Sequence, residues 1–512
     1  MTLRSLALAT AAGGFLLSAF TPAMAADKTP NTGKDAPAKD AAKDAQKDSK
    51  SDEPAALPDD KTIHQSITLN GKALSYDATV GKIAVHDAKG KTIAEVVYTA
   101  YTLPGNDPNR PVTFAFNGGP GAASVYLNMG AIGPKRVQFG DEGDVPSDAA
   151  VTQDNANTWL DMSDLVFIDP VGTGFSHSME DDDATKKDFY ATEADIKYLS
   201  RVVYDWLVKN GRLRSPKFVM GESYGGYRAP RIAYALQTQM GVGVKGLVMV
   251  SPYLDPAAIG DDDALSPLPW MINLPSMAAG HLESQKKLTP AAMAEVEKYD
   301  RTEYVTDLLA GRADPAAVAR LVQHVSDLTG LDPALVARLD GRVDGDTFLR
   351  EIHRADHKIG SVYDSNVTAW DPFPESAERR SGDPILNALI APTTSAMVDF
   401  VTREVGWKTE AHYEALSYTV NAAWGRDSRD RPVSDLRQAV ANDPKMGVLI
   451  VHGYNDLACP YFASRLIVDQ MPAFGAPGHI RLSVYPGGHM FYSRKDSGAA
   501  FKADARELYS QK

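Results

Sequence analysis

The chain has 512 residues, 44% apolar and 23% charged, an ordinary composition for a soluble globular protein that can bury one extended core with an inserted unit, or two domains. A formal net charge of -13 excludes the basic face that a nucleic-acid binder needs and gives no attraction to an anionic membrane surface. The single cysteine, Cys459, excludes an internal disulfide, so core size rather than cross-linking has to stabilise the fold.

At the amino end, Arg4 precedes an apolar run from Leu6 to Phe20, shorter than the ~20 residues of a spanning helix. Ala23-Met24-Ala25 then presents small residues where a signal peptidase inspects them, so residues 1–25 read as a cleaved export signal that leaves no membrane insertion. With one cysteine, the expected destination is a bacterial periplasm or the medium. Residues 26–61 are Ala, Lys, Asp, Pro and Ser with almost nothing large and apolar to bury, which predicts a disordered low-complexity tether.

From Ser66 to Leu103 the pattern is strand-like, with Lys82–His86 and Ile93–Tyr98 separated by a turn at Asp87-Ala88-Lys89-Gly90. Short apolar strands follow at Val112–Phe116, Asp164–Ile168, Lys217–Met220, Gly246–Val250, Gly447–Val451 and Ile480–Tyr485. Helical segments such as Ala191–Val208 and Tyr227–Gln239 lie between several of them. This alternation predicts an α/β fold with a mostly parallel central sheet covered by helices on both faces, built from residues 62–251 and 444–512. Residues 252–443 break the alternation with helical stretches such as Ala291–Lys298 and Ala316–Val325, and are expected to form a mainly helical insertion capping the sheet's active edge.

Four post-strand segments carry chemistry. Gly221-Glu222-Ser223-Tyr224-Gly225-Gly226 lies between a strand and a helix, where a Gly-x-Ser-x-Gly turn lifts the serine hydroxyl out of the sheet onto a helix N-terminus. That makes Ser223 the candidate nucleophile of an α/β-hydrolase. Asn117-Gly118-Gly119-Pro120-Gly121 follows the strand Val112–Phe116, so the Gly119 and Tyr224 N–H groups are expected to pair as an oxyanion hole. Asp456 follows the strand Gly447–Val451, and His489 follows Ile480–Tyr485. The chain order Ser, Asp, His at carboxyl-end loops assigns His489 as base and Asp456 as its partner. His452 is the rival base, but it shares the loop of the acid.

Together these segments resemble the serine carboxypeptidase family in Asn117–Gly121, Gly221–Tyr224, Gly453–Asp456, Gly488–Met490 and Pro170–Ser176. The resemblance spans about residues 110–250 and 445–495. It implies a serine-type carboxypeptidase that forms an acyl-enzyme on peptides with a free C-terminus, binding the substrate carboxylate through Asn117, the Gly118 backbone and Glu222. A Glu222 that donates to a carboxylate must be protonated, which favours acidic pH. Four positions depart from the family: Ala115 replaces a tryptophan, Ala122-Ala123 a Cys-Ser pair, and Ala131 a second acid. These keep an esterase, aminopeptidase or acyltransferase open on the same scaffold. The intact triad argues against a non-catalytic binding protein.

No cofactor or metal is expected. His353 and His357 have helical spacing without a third ligand, and Asp181–Asp183 and Asp261–Asp263 lack a calcium-loop pattern. No dinucleotide or P-loop fingerprint occurs. Cys459 reads as a small packed side chain.

Overall fold

In chain order the strands of the computed structural model are β1 (Lys61–Leu69), β2 (Lys72–His86), β3 (Thr92–Thr102), β4 (Val112–Phe116), β5 (Lys135–Val137), β6 (Thr152–Asp154) and β7 (Asp164–Ile168). There follow β8 (His177–Ser178), β9 (Lys217–Glu222), β10 (Gly246–Val250), β11 (Lys358–Gly360), β12 (Thr368–Trp370), β13 (Gly447–Gly453) and β14 (Ile480–Tyr485). The structure describes residues 56–137, 150–254, 266–376, 381–425, 432–474 and 478–511. The export signal, most of the tether and Asp261–Asp263 lie outside these residues. The tether's last residues are already packed: Leu57 is buried and Asp60 accepts a hydrogen bond from the Tyr98 hydroxyl at 2.7 Å.

The main sheet runs β1-β2-β3-β7-β4-β9-β10-β13-β14, with β8 beside β3. β1, β2 and β3 pair antiparallel, as does β3 with β7. The strands β7, β4, β9, β10, β13 and β14 are parallel. Asn70 and Gly71, both at positive φ, close the β1–β2 hairpin with a two-residue turn whose twist matches its strands. β4 is flanked on both sides by strands that come later in the chain, so the strand order reverses at β4, and the carboxyl ends at such a point are where open α/β sheets bind ligands.

Because every second residue of a strand faces the same side, the parallel strands feed two cores. Phe114, Phe116, Val219, Met249 and Ile450 pack with Leu199, Val203 and Trp206 of the helix Thr192–Lys209 and with Ile232 and Leu236 of the helix Tyr224–Thr238. Ala115, Phe167, Met220, Val250 and Val451 face Trp159 and the helix Lys495–Ser510. Strands buried on both faces read as unbroken apolar runs, which is why these were visible in the sequence.

Between β10 and β13 the described residues are mainly helical, including Leu268–Ser284, Pro290–Tyr299, Pro315–Thr329 and Pro384–Asp399. Asp-Pro or Thr-Pro pairs start three of these four. Thr289, Asp314 and Asp383 cap the first turn, and each following proline, whose missing N–H costs nothing there, occupies its first position. Leu274, Met277, Leu321, Val325 and Phe348 give this segment its own apolar cluster, which also takes in Leu457. The β11–β12 ribbon inside it was not foreseen. With three residues per strand, it is too short to show a period of two.

Candidate active site

Ser223 sits at the turn from β9 into the helix Tyr224–Thr238 with φ 60° and ψ -122°, a conformation that side chains other than glycine rarely adopt. The corner is held by Ser223 N–H donating to Val250 O at 3.0 Å and by Ser223 O accepting from Gly226 N–H at 2.9 Å. A Cβ on Gly221 would fall inside the Gly225 carbonyl, so the tight approach explains the glycine. The Gly119 and Tyr224 N–H groups donate to no other group among the described residues. A Cβ on Gly118 would meet Tyr224 N at 2.5 Å, which shows how closely the two loops approach.

The structure brings His489 and Asp456 together. The His489 Nδ1 to Asp456 Oδ2 distance is 2.8 Å, and both side chains are buried. Asp456 Oδ1 accepts from the Ala458 and Cys459 N–H groups at 2.8 and 2.9 Å, which fixes the carboxylate. Burial alone would push the His489 pKa down, but the adjacent Asp456 carboxylate outweighs it and holds the imidazolium favoured, well above the usual range. No hydrogen bond closes between Ser223 and His489. The buried Cys459 thiol sits against both side chains, and burial raises its pKa. Serine–imidazole contacts are often long without substrate and tighten when it binds.

The rival His452 is buried, with Nε2 2.9 Å from Ser464 Oγ, and desolvation lowers its pKa to about 3. It is a neutral structural side chain. Asp181 accepts from Ala184 N–H as a helix cap, His353 Nε2 lies 3.0 Å from Ser365 O, and no group of metal-ligating side chains occurs among the described residues.

Asn117 and Glu222 face each other at the ends of β4 and β9. Leu127 N–H donates to Asn117 Oδ1 at 2.9 Å, which turns the Nδ2 amide toward Glu222 Oε2, also at 2.9 Å. Glu222 is 2% exposed, and desolvation raises its pKa to about 7. Beneath the pair, Arg228 Nη1 donates to Asn117 O at 2.8 Å while its Nε donates to Asp195 Oδ2 at 2.6 Å, in a pair fully removed from water. Ala131 is buried, and Ala115 lies in the same apolar cluster as Phe491 and Tyr492.

Sequence reasoning missed the supports that the insertion supplies. Tyr363 O accepts from His489 N–H at 2.5 Å, and the Tyr363 ring meets the imidazole edge-on at 5.2 Å. Val362 O accepts from Leu457 and Ala458 N–H at 2.9 and 3.0 Å. Arg494 Nη1 donates to Glu283 Oε1 at 2.5 Å and Nη2 to Asp364 Oδ2 at 2.7 Å, while Asn455 also donates to Glu283. A Cβ on Gly488 would run into Tyr363 O, which explains the glycine before His489. On the other side, Ser417 N–H donates to Gly121 O at 2.7 Å and Asn421 Nδ2 to Pro120 O at 3.0 Å, bracing the glycine-rich loop. Glu414 and Gly174 exchange both backbone hydrogen bonds, tying in the Pro170–Ser176 turn. No spacing rule links these partners, because they are 95 to 301 residues apart. Tyr492, three residues past His489, was the one within reach of a motif.

A mostly parallel sheet with a strained serine at the β9 elbow and a histidine–carboxylate pair on the last two strand loops defines an α/β-hydrolase. A family model described as serine carboxypeptidase matches residues 80–315. It is 26% identical over 204 residues to serine carboxypeptidase-like 36 of Arabidopsis thaliana, covering 39% of each chain. It is 27% identical over 202 residues to vitellogenic carboxypeptidase of Aedes aegypti, covering 38% of this chain and 39% of that one. The chain thus spans about two fifths of the length of the curated relatives it matches. The fold is similar to that of a prohormone-processing carboxypeptidase from Saccharomyces cerevisiae, with TM-score 0.50, 15% identity and coverage of 85% of this chain and 91% of that one. The family match contains Asn117 and Ser223 but stops short of Asp456 and His489, which only the fold brings to them.

Proposed function

We propose that this protein is a serine-type carboxypeptidase that releases C-terminal residues from peptides through an acyl-enzyme on Ser223. The observation that carries the reading is the buried His489–Asp456 pair held at the β9 elbow, beside two unengaged N–H groups and a carboxamide–carboxyl pair. The Ser223 hydroxyl attacks the scissile carbonyl while His489 Nε2 takes its proton, and Asp456 holds Nδ1–H and the imidazolium that forms. The Gly119 and Tyr224 N–H groups take the developing oxyanion. His489 then protonates the leaving amine, and water enters by the reverse route to free the acyl group. Asn117, the Gly118 backbone and a protonated Glu222 receive the substrate's carboxylate. This needs no metal or cofactor.

Ala131, where the family resemblance places a second acid, favours one other reading, an esterase on the same scaffold. Mass spectrometry of a peptide library, with and without C-terminal amidation and with Ser223→Ala as control, separates the two. Stepwise loss of C-terminal residues from free peptides, suppressed by amidation, supports a carboxypeptidase. Equal cleavage of amidated peptides, or internal cuts, rejects it. Export rests on Arg4, Leu6–Phe20 and Ala23-Met24-Ala25, and a mature N-terminus at Ala26 would support it.

A further inference from the structure

Glu222 accepts hydrogen bonds that the carboxypeptidase reading leaves unused. The Tyr492 hydroxyl lies 3.0 Å from Oε1 and 3.0 Å from Oε2, bridging the carboxyl group, and Tyr492 is itself 3% exposed. The turn Phe491–Ser493 that carries it packs on the turn Leu127–Ile132, whose Leu127 N–H also orients Asn117. Both neighbours of Glu222 therefore present donors to it. Asn117 Nδ2 has no acceptor capacity, and Asn117 Oδ1 is already engaged.

We propose that Tyr492 is a positioning residue that competes with the substrate's C-terminal carboxylate for Glu222, and so sets the pH range over which free peptides bind. The inference rests on the proposed function. Proton accounting gives its sense. An ionised Glu222 satisfies the Tyr492 O–H and the Asn117 N–H at once, but it repels an incoming carboxylate. A neutral Glu222 has one proton to give, which it can pass to the Tyr492 oxygen or to the substrate. The phenol thus stabilises the state that rejects substrate. The other charged or titratable groups acting on this pair are His489 and Asp456 from the triad loops, Tyr126 from the segment after the glycine-rich loop, and Arg136, which acts on Tyr492. The His489 imidazolium favours the ionised acid, and the Asp456 carboxylate opposes it.

The test is Tyr492→Phe, which keeps the ring and removes one hydroxyl. KM and kcat are measured from pH 5 to 9 on a peptide with a free C-terminus and on a simple ester that lacks a carboxylate. The expected result is that the alkaline rise in KM for the free peptide moves up by about one pH unit, the size of one lost hydrogen bond to a charged group. The pH profile on the ester should keep its wild-type shape. A KM profile that coincides with wild type overturns the inference, and so does an equal loss on both substrates, which would mark a merely structural role. If the wild-type protein releases no C-terminal residue at any pH, the proposed function fails first and takes this inference with it.

Discussion

Asp456→Asn tests the triad with the smallest change of shape, and the structure fixes how the amide must sit. Asp456 Oδ1 receives two backbone N–H groups, from Ala458 and Cys459, at 2.8 and 2.9 Å. An NH2 there would face two donors, so the asparagine keeps its oxygen at that position and its NH2 replaces Oδ2, 2.8 Å from His489 Nδ1. A nitrogen that donates to Nδ1 forces the imidazole proton onto Nε2, the atom that has to accept the Ser223 proton. In proteases with the same triad, this tautomer reversal costs about 10^4 in kcat, or about 5 kcal/mol of transition-state stabilisation. The assay is kcat on a peptide or ester at saturating substrate, with the urea midpoint measured alongside. A drop of about 10^4 with an unchanged midpoint is expected. A variant that retains a tenth or more of the wild-type kcat while folding normally would refute the assignment of Asp456 as the partner of the base.

The remaining predictions address what surrounds the triad. Arg228→Met leaves Asp195 buried without its cation and Asn117 O without a donor, so unfolding free energy should fall by about 3–5 kcal/mol in urea titration; a loss below 1 kcal/mol would contradict a tightly desolvated pair. Glu283→Gln removes the charge that Arg494 and Asn455 share, and should lower kcat about tenfold, with little change in KM, by loosening the two triad loops. An unchanged kcat would show that Tyr363 and Asp364 hold those loops unaided. For a substrate without a carboxylate, kcat should fall as pH drops through the elevated His489 pKa, because only the neutral imidazole accepts a proton. Activity that persists undiminished well below pH 6 would require a base other than His489.

Much of this protein is written in local patterns. A strand buried on both faces has to be apolar throughout, so β4, β7, β9, β10 and β13 are legible as short apolar runs. The elbow is legible because its corner leaves room only for glycine two residues before and two residues after Ser223. The placement of Ser223, Asp456 and His489 after β9, β13 and β14 is legible because a parallel sheet gathers those strand ends at one edge. What the sequence could not carry is the reach of one side chain to another across the chain. The bracing of Gly121 by Ser417, of His489 by Tyr363 and of Arg494 by Glu283, and the phenol of Tyr492 on Glu222, are contacts between residues that follow no shared period. A hydrogen bond depends on atoms coming within about 3 Å in a packed structure, and that distance is set by the whole fold, whereas strand and elbow patterns are set by each residue's immediate neighbours.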